Sequence, residues 1–204
     1  MGRSSDAREK LVEAACELMR GRGYGAIGVA EICERAGVRK GSFYYFFESK
    51  QALTVEALRQ AWQGESAGWR AVLESEDHPF RRLEALLRAQ AQSQHDSKRD
   101  VGTVRGCLYG NLTLEVGGHD EAVRACLKEI FDEQVVMVHK VLLEAYTAGH
   151  LPATRASRDH ARAVLAQLEG MVLFAKLDND PHHLDALWPQ VEGLLGLPRA
   201  AEAG

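Results

Sequence analysis

Residues 28–50 constrain the fold of this chain more than any other stretch. In GVAEICERAGVRKGSFYYFFESK, apolar side chains recur at the spacing by which two short helices bury a shared core. Gly37 stands between the two helices, where a tight turn needs a residue without a Cβ, and Cys33 is expected where they cross most closely. The stretch therefore predicts two helices joined by a turn, followed by the start of a third. The core positions are Ile32, Ala36, Val38, Phe43 and Phe46.

The second of these helices begins with cations and carries adjacent tyrosines. A helix-turn-helix places the N-terminal residues of its second helix in a DNA groove, and arginine suits a bidentate contact with guanine. The tyrosines and Lys50 are alternatively ordinary surface residues, but neighbouring exposed tyrosines beside cations are unusual on a solvated face. Segment 39–46 is therefore the expected recognition helix, and a phosphate contact is expected from the start of the next helix. The predicted DNA-binding residues are Arg39, Lys40, Gly41, Ser42, Tyr44, Tyr45 and Lys50.

The string KGSFYYxFxSK at residues 40–50 resembles the DNA-binding core of the TetR/AcrR transcriptional regulators. The resemblance extends back to residues 14–24 and forward to residue 53, about the first quarter of the chain. One departure is Gly28, where the family usually has Thr or Ser; glycine still caps a helix but removes one phosphate contact. The resemblance implies a helix-turn-helix DNA-binding domain over 1–50 and an effector-binding and dimerisation domain over 51–204.

Charge is distributed unevenly along the chain. The net charge is −4, yet residues 1–60 contain ten basic and eight acidic side chains. A slightly basic head on an acidic body suits a nucleic-acid-binding head. The N-terminus has no apolar secretion signal, no stretch approaches the roughly 18 apolar residues of a membrane span, and the four cysteines show no zinc-like spacing. A reduced, cytoplasmic protein without membrane contact is expected.

The rest of the chain shows helical periodicity and no convincing strand alternation, so the sequence predicts an all-α fold of about nine helices. Helix 1 is expected from Ser5–Asp6 to Met19 or Arg20, and a polar run at 92–100 is expected to end helix 5 in a loop. Helix 6 is expected over 104–116, ended by Gly117 and Gly118. Ser49, Asp120 and Ser157 are expected to cap helices 4, 7 and 8, and helix 7 is expected to end at Gly149. Pro189 is expected to kink or restart helix 9.

The last two helices have broad apolar faces. These faces complete the core of one chain or form half of an intermolecular four-helix bundle, and the resemblance favours the homodimer. A two-fold dimer reads two half-sites of a palindrome about 34–36 Å apart, or a multiple of that spacing. The predicted dimerisation residues are Val164, Leu165, Leu168, Met171, Val172, Leu184, Leu187, Trp188, Val191 and Leu195.

The resemblance also implies an effector pocket among helices 4 to 7. Cys107 lies in a Gly-Cys-Leu string, and some regulators of this family sense electrophiles or oxidants through a cysteine in a similar string; the alternative is an inert packed thiol. Lys176 is placed to reach the pocket. Each of the other candidates is alternatively plain core or surface. The predicted effector residues are Cys107, Trp62, Trp69, Tyr109, Asn111, Phe131, His139, Phe174 and Lys176.

Catalytic signatures are missing from the sequence. It has no Gly-rich phosphate loop, no nucleophile elbow and no distinctive carboxylate pair, so neither catalysis nor a cofactor is expected. His182 and His183 have no evident Asp, Glu or Cys ligand partners, and a surface or capping role is expected rather than metal binding. Glu115, on a mostly apolar helix, is expected to face solvent. The chain is interpreted as a one-component repressor released from DNA by a small-molecule or electrophile inducer. The alternatives are an all-α carrier or enzyme with an inactive head, and an activator or auxiliary protein-binding factor.

Overall fold

A computed structural model describes residues 2–116, 118 and 120–197, with side chains from residue 6 onward. All regular structure in that part of the chain is helical, which confirms the all-α prediction. A 3-10 helix, Pro181–Ala186, lies between the last two α-helices. The α-helices are α1 Gly2–Arg22, α2 Val29–Ala36, α3 Lys40–Phe46, α4 Lys50–Leu73, α5 Pro79–Val101, α6 Leu108–Val116, α7 Glu121–Thr147, α8 Arg158–Asp178 and α9 Leu187–Leu195.

Internal contacts divide the chain into two compact units. The first comprises Met1–Glu65 with Cys107–Ile130, and the second comprises Ser66–Gly106 with Phe131–Gly204. Helices α4 and α7 begin in the first unit and end in the second. No helix among the described residues is both long and apolar enough to cross a membrane.

The first unit contains the predicted helix-turn-helix. Leu11 of α1, Ile32 of α2 and Phe43 of α3 are almost completely buried and form its core. Gly37 adopts a left-handed conformation (φ 64°) at the end of α2, and its amide donates to the carbonyls of Cys33 and Glu34. The turn closes because glycine pays no Cβ penalty there.

The second unit is built around α5, α8, the 3-10 helix and α9. Asn179 ends α8 in a left-handed conformation, and its side-chain oxygen accepts a hydrogen bond from the Val104 amide at 2.9 Å. The 3-10 helix packs against both α5 and α8. Arg82, almost fully buried, donates to the Leu73 carbonyl at 2.6 Å and pairs with Glu144. The loops of this unit are thereby fixed to its helices.

Three helix caps agree with the sequence. Ser49 accepts from the Ala52 amide at 3.0 Å, Asp120 accepts from the Val123 amide at 3.0 Å, and Ser157 accepts from the His160 amide at 3.2 Å. Each side chain satisfies a donor that the first helical turn leaves without an intrahelical partner. Gly28 is the cap of α2, without a side-chain hydrogen bond.

Several predicted helix limits were wrong. Helix α1 is longer at both ends, and α5 continues through the polar run to Val101 because pairs such as Gln92–Asp96 stabilise the helix instead of breaking it. Helix α7 ends two residues before Gly149. The restart expected at Pro189 is found, by contrast: α9 begins at Leu187 directly after the 3-10 helix, and Pro189 lies in its first turn, where the missing amide costs no hydrogen bond. The predicted helix 6 terminator Gly117 lies outside the described residues.

Helix α6 begins at Leu108 rather than at residue 104. Gly102 and Gly106 both have positive φ values of 78°, which a continuous helix does not tolerate. The Gly106 amide donates to the Gln94 side chain at 3.0 Å, so the segment before α6 is tied to α5. Cys107 therefore precedes the helix instead of lying within it, and its carbonyl accepts the Asn111 amide at 2.9 Å.

The set of residues predicted to face a partner subunit also needs correction. Nine of the ten are buried within the single chain, at 9% exposure or less, and Trp188 is half-buried. An apolar seam has the same periodicity whether it faces its own chain or another one, so the pattern could not separate the two cases. The buried set is Val164, Leu165, Leu168, Met171, Val172, Leu184, Leu187, Val191 and Leu195.

Candidate nucleic-acid interface

Helix α3 presents tyrosines outward and a phenylalanine inward. Tyr44 is 60% exposed and Tyr45 79% exposed, whereas Phe43 is fully buried. Phe47 is buried and Phe46 half-buried, close to the core role expected for them. Gly41 is exposed and Ser42 half-buried in the first turn. This seven-residue helix packs against the core on one side only, so its other side is an exposed face of polar and aromatic residues.

The cations at the start of α3 differ from the other cations of the head. Arg8, Arg22 and Arg35 each pair with a glutamate of the same unit. Arg39, the cap residue of α3, and Lys40 are exposed and have no ion pair among the described residues. Their charge is therefore directed to solvent beside the exposed tyrosines. Uncompensated cations next to hydrogen-bonding aromatic rings match the chemistry of phosphate and base recognition.

Lys50 has a structural role that the sequence did not indicate. Its ammonium donates to the carbonyls of Tyr24 and Ile27, at 2.5 and 2.7 Å, and lies 3.9 Å from the centre of the Tyr24 ring. Burial lowers the pKa of Lys50, and Glu115 opposes that shift. An ammonium carries three donors, so one remains beyond the two carbonyls. Lys50 thus ties the start of α4 to the turn between α1 and α2.

The same turn is bound by a carboxylate of α6. The amides of Tyr24 and Gly25 donate to the two oxygens of Glu115, the first at 2.7 Å. Glu115 is solvent-exposed, as expected, but it also fastens the end of α6 to the helix-turn-helix. Gly23 has φ 83°, and a Cβ built there would lie 2.7 Å from a Glu115 oxygen. The glycines at 23 and 25 permit this close approach, although the sequence does not indicate which residue approaches them.

Asp120 adds a second connection at the start of α7. Its carboxylate accepts from the Gln51 amide and from the Tyr24 hydroxyl, the latter at 3.3 Å. Burial, followed by the charge of Asp120, raises the pKa of Tyr24. Sequence reasoning assigned Asp120 only a capping role. The C-terminal end of α6 and the N-terminal end of α7 therefore both bind the turn that precedes α2.

Two of the predicted effector residues meet in a buried cluster of the first unit. The rings of Trp62 and Tyr109 contact edge to face, with centroids 5.9 Å apart. The Tyr109 hydroxyl donates to Glu65 at 3.1 Å, and the other Glu65 oxygen pairs with Arg20 at 2.6 Å. Burial raises the pKa of Tyr109 far above its ordinary value, and Glu65 adds to the shift. The cluster joins α1, α4 and α6 through the buried rings of Trp62 and Tyr109 and through Arg20 and Glu65, whose side chains are partly exposed.

Cys107 is half-buried at the N-terminal end of α6. The Gly110 amide donates to its sulfur at 3.4 Å. The other cysteines differ: Cys33 and Cys126 are buried, and burial raises the pKa of Cys16 to about 11. Backbone amides and a helix N-terminus are groups that stabilise a thiolate. Asn111, also half-buried, lies one turn further along α6.

The remaining predicted effector residues belong to the second unit, where they are dispersed. Trp69 is buried, Phe131 is half-buried, and the half-buried His139 lies 3.3 Å from the Ala156 carbonyl oxygen. Phe174 and Lys176 are exposed on α8. Phe174 lines an open groove with other residues of α8 and the 3-10 helix.

Comparison with known proteins assigns the family. Residues 11–57 match the bacterial regulatory proteins of the tetR family, and residues 79–191 match the tetracyclin repressor-like C-terminal domain. The HTH-type transcriptional repressor DhaR of Mycobacterium sp. (strain GP1) is 29% identical over 196 residues, which cover 92% of this chain and 95% of DhaR. The transcriptional regulator AcuR of Cereibacter sphaeroides is 32% identical over 185 residues, 89% of this chain and 81% of AcuR.

A solved structure agrees with these matches. Reduced NemR of E. coli superposes with a TM-score of 0.82 at 26% identity, over 96% of this chain and 100% of that one. The resemblance indicated by residues 40–50 is confirmed. The chain belongs to the TetR family of bacterial regulatory proteins and is a ligand-responsive, DNA-binding transcriptional regulator.

Proposed function

We propose that this protein is a cytoplasmic, homodimeric repressor that binds a palindromic operator and is released by a small-molecule or electrophile inducer. The outer face of α3 carries this proposal, because Tyr44 and Tyr45 are exposed beside Arg39 and Lys40, which have no ion pair among the described residues. The relatives DhaR and NemR are described as repressors, which supports the same direction of control.

The DNA contacts are divided by chemistry. Arg39 and Lys40 reach base edges or phosphates from the start of α3, where Gly41 leaves room for the DNA backbone. Ser42, Tyr44 and Tyr45 supply hydroxyl donors, and the two rings pack on sugars or thymine methyl groups. Lys50 holds the turn and offers its remaining donor to a phosphate. Phosphate contacts make binding fall steeply with salt.

The outer face of α8 is the proposed dimerisation surface. Ala166, Gly170, Leu173 and Leu177 follow one another at helical spacing opposite the buried face, and Leu173 and Leu177 are 51% and 74% exposed. This apolar stripe remains uncovered in a single chain. The proposed dimer helices are α8 and α9. The buried residues predicted from the sequence lie beneath this surface and support it.

The proposed domain division keeps residues 1–50 as the DNA-binding domain and 51–204 as the effector-binding and dimerisation domain. The inducer acts on helices 4 to 7, at residues among the predicted effector residues. The two candidate sites of its action are the Trp62–Tyr109 cluster and the thiol of Cys107. An inducer releases DNA only if it binds one conformation of the protein better than the other.

The decisive experiment measures binding of the purified protein to the DNA upstream of its own gene. Salt is titrated first, and a thiol-reactive electrophile is then added to wild type, Cys107→Ser and the control Cys16→Ser. We expect salt-sensitive binding that the electrophile reverses in wild type and in Cys16→Ser. Release that persists in Cys107→Ser would refute the cysteine sensor while leaving the repressor intact.

A second comparison tests the DNA-binding surface itself. Tyr44→Ala and Arg39→Ala should both weaken operator binding, and Arg39→Ala should also change the preferred bases. Operator affinity equal to wild type in both variants would overturn the proposed interface. It would also favour the carrier or enzyme alternative.

A further inference from the structure

Two histidines and an aspartate converge in the second unit, away from the DNA-binding surface. His95 lies on α5, whereas His182 and Asp185 lie three residues apart on the 3-10 helix. The Nε2 atom of His95 is 3.3 Å from one Asp185 oxygen, and the Nδ1 atom of His182 is 2.9 Å from the other. One ligand atom from each residue lies within 4.8 Å of the other two. We call these three residues the His-Asp-His cluster.

This cluster corrects an expectation drawn from the sequence. His182 and His183 were expected to have no matched Asp, Glu or Cys ligands and therefore to serve a surface or capping role. The fold supplies His95 and Asp185 to His182. His183 instead pairs with Asp178 at 2.7 Å and does not belong to the cluster.

The donor atoms suit a divalent transition metal. Zinc binds imidazole nitrogen at about 2.0–2.1 Å and carboxylate oxygen at about 2.0–2.2 Å, so neighbouring donors of a tetrahedral site lie about 3.3–3.5 Å apart. The 3.3 Å separation between His95 Nε2 and its Asp185 oxygen matches that value, whereas the 2.9 Å separation between His182 Nδ1 and the other Asp185 oxygen is shorter, so a metal held by one oxygen requires a small shift of the exposed His182 side chain. Two imidazoles and one carboxylate leave the fourth position for water. Imidazole ligands also select zinc, copper or nickel over magnesium and calcium.

Charges around the cluster favour a cation. The Asp180 carboxylate caps the 3-10 helix that carries His182 and Asp185. The opposing charge is Arg88, which lines the neighbouring cleft, but it pairs with Glu84 at 2.6 Å. A positive ion at this position therefore meets more carboxylate than guanidinium charge.

Access from solvent is available on one side. His95 is 27% exposed by side chain, His182 73% and Asp185 61%. A cleft of about 220 Å³ adjoins the cluster and is lined by Leu87, Leu184 and Leu187 among others. His95 is fixed in position by α5, and the exposed side of the cluster is open to a metal ion and its water.

We propose that His95, His182 and Asp185 form a binding site for a zinc-type divalent metal ion, with water as the fourth ligand. The bound ion cross-links α5 to the 3-10 helix. Its role is structural, since it fixes the segment between α8 and α9. The proposal does not depend on the proposed function, because its test requires no DNA.

The test is a calorimetric titration of Zn²⁺ into full-length protein stripped of metal with a chelator. We expect one equivalent per chain in wild type. His95→Ala and Asp185→Asn should each weaken binding by at least about 10-fold, as even outer-shell changes do at metal sites. His183→Ala is the matched control, because it removes an adjacent exposed histidine that also has an aspartate partner. Its affinity should equal that of wild type.

Cobalt provides a second measurement on the same variants. Co²⁺ bound in a tetrahedral nitrogen and oxygen site gives strong visible absorption, which His95→Ala should lose and His183→Ala should retain. Circular dichroism establishes that each variant is folded. The proposal is overturned if wild type binds no zinc, if folded His95→Ala and Asp185→Asn bind it as well as wild type does, or if His183→Ala weakens binding equally.

Discussion

At the residue scale, Lys50 combines a structural role with a proposed contact to DNA. The sequence indicated a phosphate contact, whereas the structure directs its ammonium to two backbone carbonyls. Sequence spacing reveals which residues lie near the start of a helix, but not which carbonyls a turn brings to them. The proposed contact of Lys50 with DNA therefore comes in addition to its role in holding the turn.

Replacement of Lys50 should consequently affect stability as well as DNA binding. Lys50→Ala should lower the free energy of unfolding by about 1–2 kcal/mol, because two hydrogen bonds from a charged donor to partly buried carbonyls are lost. Tyr44→Ala, at an exposed position, should change it by less than about 0.5 kcal/mol while still weakening DNA binding. Urea denaturation of both variants measures the difference. Equal stability would show that the carbonyl contacts contribute nothing.

The cysteines should differ in reactivity. A thiol with a pKa of about 11, as burial gives Cys16, is only about 0.1% thiolate at pH 8, against roughly a quarter for an unperturbed thiol. We expect labelling by iodoacetamide at pH 8 to be slow at Cys16 and to accelerate as pH rises toward 11 or on unfolding. Mass spectrometry of the labelled peptides measures each site. Rapid modification of Cys16 in folded protein at pH 8 would contradict its buried environment.

Helix α6 is the element with the clearest mechanical role. Cys107 and Tyr109 lie at its start, and Glu115 near its end binds the turn before α2. We expect a displacement of α6 by an inducer to be transmitted to the turn before α2 through these two hydrogen bonds, which lie within the first unit. The connection is local and requires no long relay of side chains.

Glu115→Gln tests this connection. The amide keeps one acceptor oxygen but loses the charge, so a modest loss of stability, about 1 kcal/mol, is expected at this exposed site. Operator binding should remain, while the inducer concentration needed for half-release should rise. Fluorescence anisotropy of labelled operator DNA measures both quantities. Unaltered induction would show that the signal travels by another route.

Helix limits show where sequence reasoning worked at this scale and where it failed. Caps at Ser49, Asp120 and Ser157 were predictable because each acts within one turn of its own helix. The extension of α5 has a local cause in pairs such as Gln92–Asp96, whereas the late start of α6 depended on the Gln94 contact with Gly106 and on the positive φ of Gly106. Such tertiary contacts have no signature in local composition.

At the scale of the whole molecule, the apolar pattern of α8 has two meanings. One face is buried in the chain and the other displays Leu173 and Leu177 to solvent. The sequence identified the helix as apolar and assigned to the partner a set of residues that the single chain buries, because burial within a chain depends on neighbours that periodicity does not reveal. The His-Asp-His cluster was missed for the same reason, since it joins residues from two helices that are far apart in the sequence.

Substitutions on the two faces should separate subunit association from folding. Leu173→Glu with Leu177→Glu should produce folded monomers with poor operator affinity, because charges are placed on the proposed interface. Leu168→Ala should instead destabilise the fold by about 2–5 kcal/mol through loss of core packing. Analytical ultracentrifugation and thermal denaturation distinguish these results. A persistent dimer in the double variant would place the interface elsewhere.

The contact between Glu115 and the glycine turn restricts how such proteins can recombine. A DNA-binding head grafted onto this body from a relative with bulkier residues at positions 23 and 25 would meet the Glu115 carboxylate, because a Cβ at either position lies under 3.0 Å from its oxygens. A head taken from here onto another body would leave two amides without their acceptor. Exchange of specificity between regulators of this kind therefore preserves these two hydrogen bonds only where residue 115 is inherited together with the head, although it lies ninety residues later in the chain.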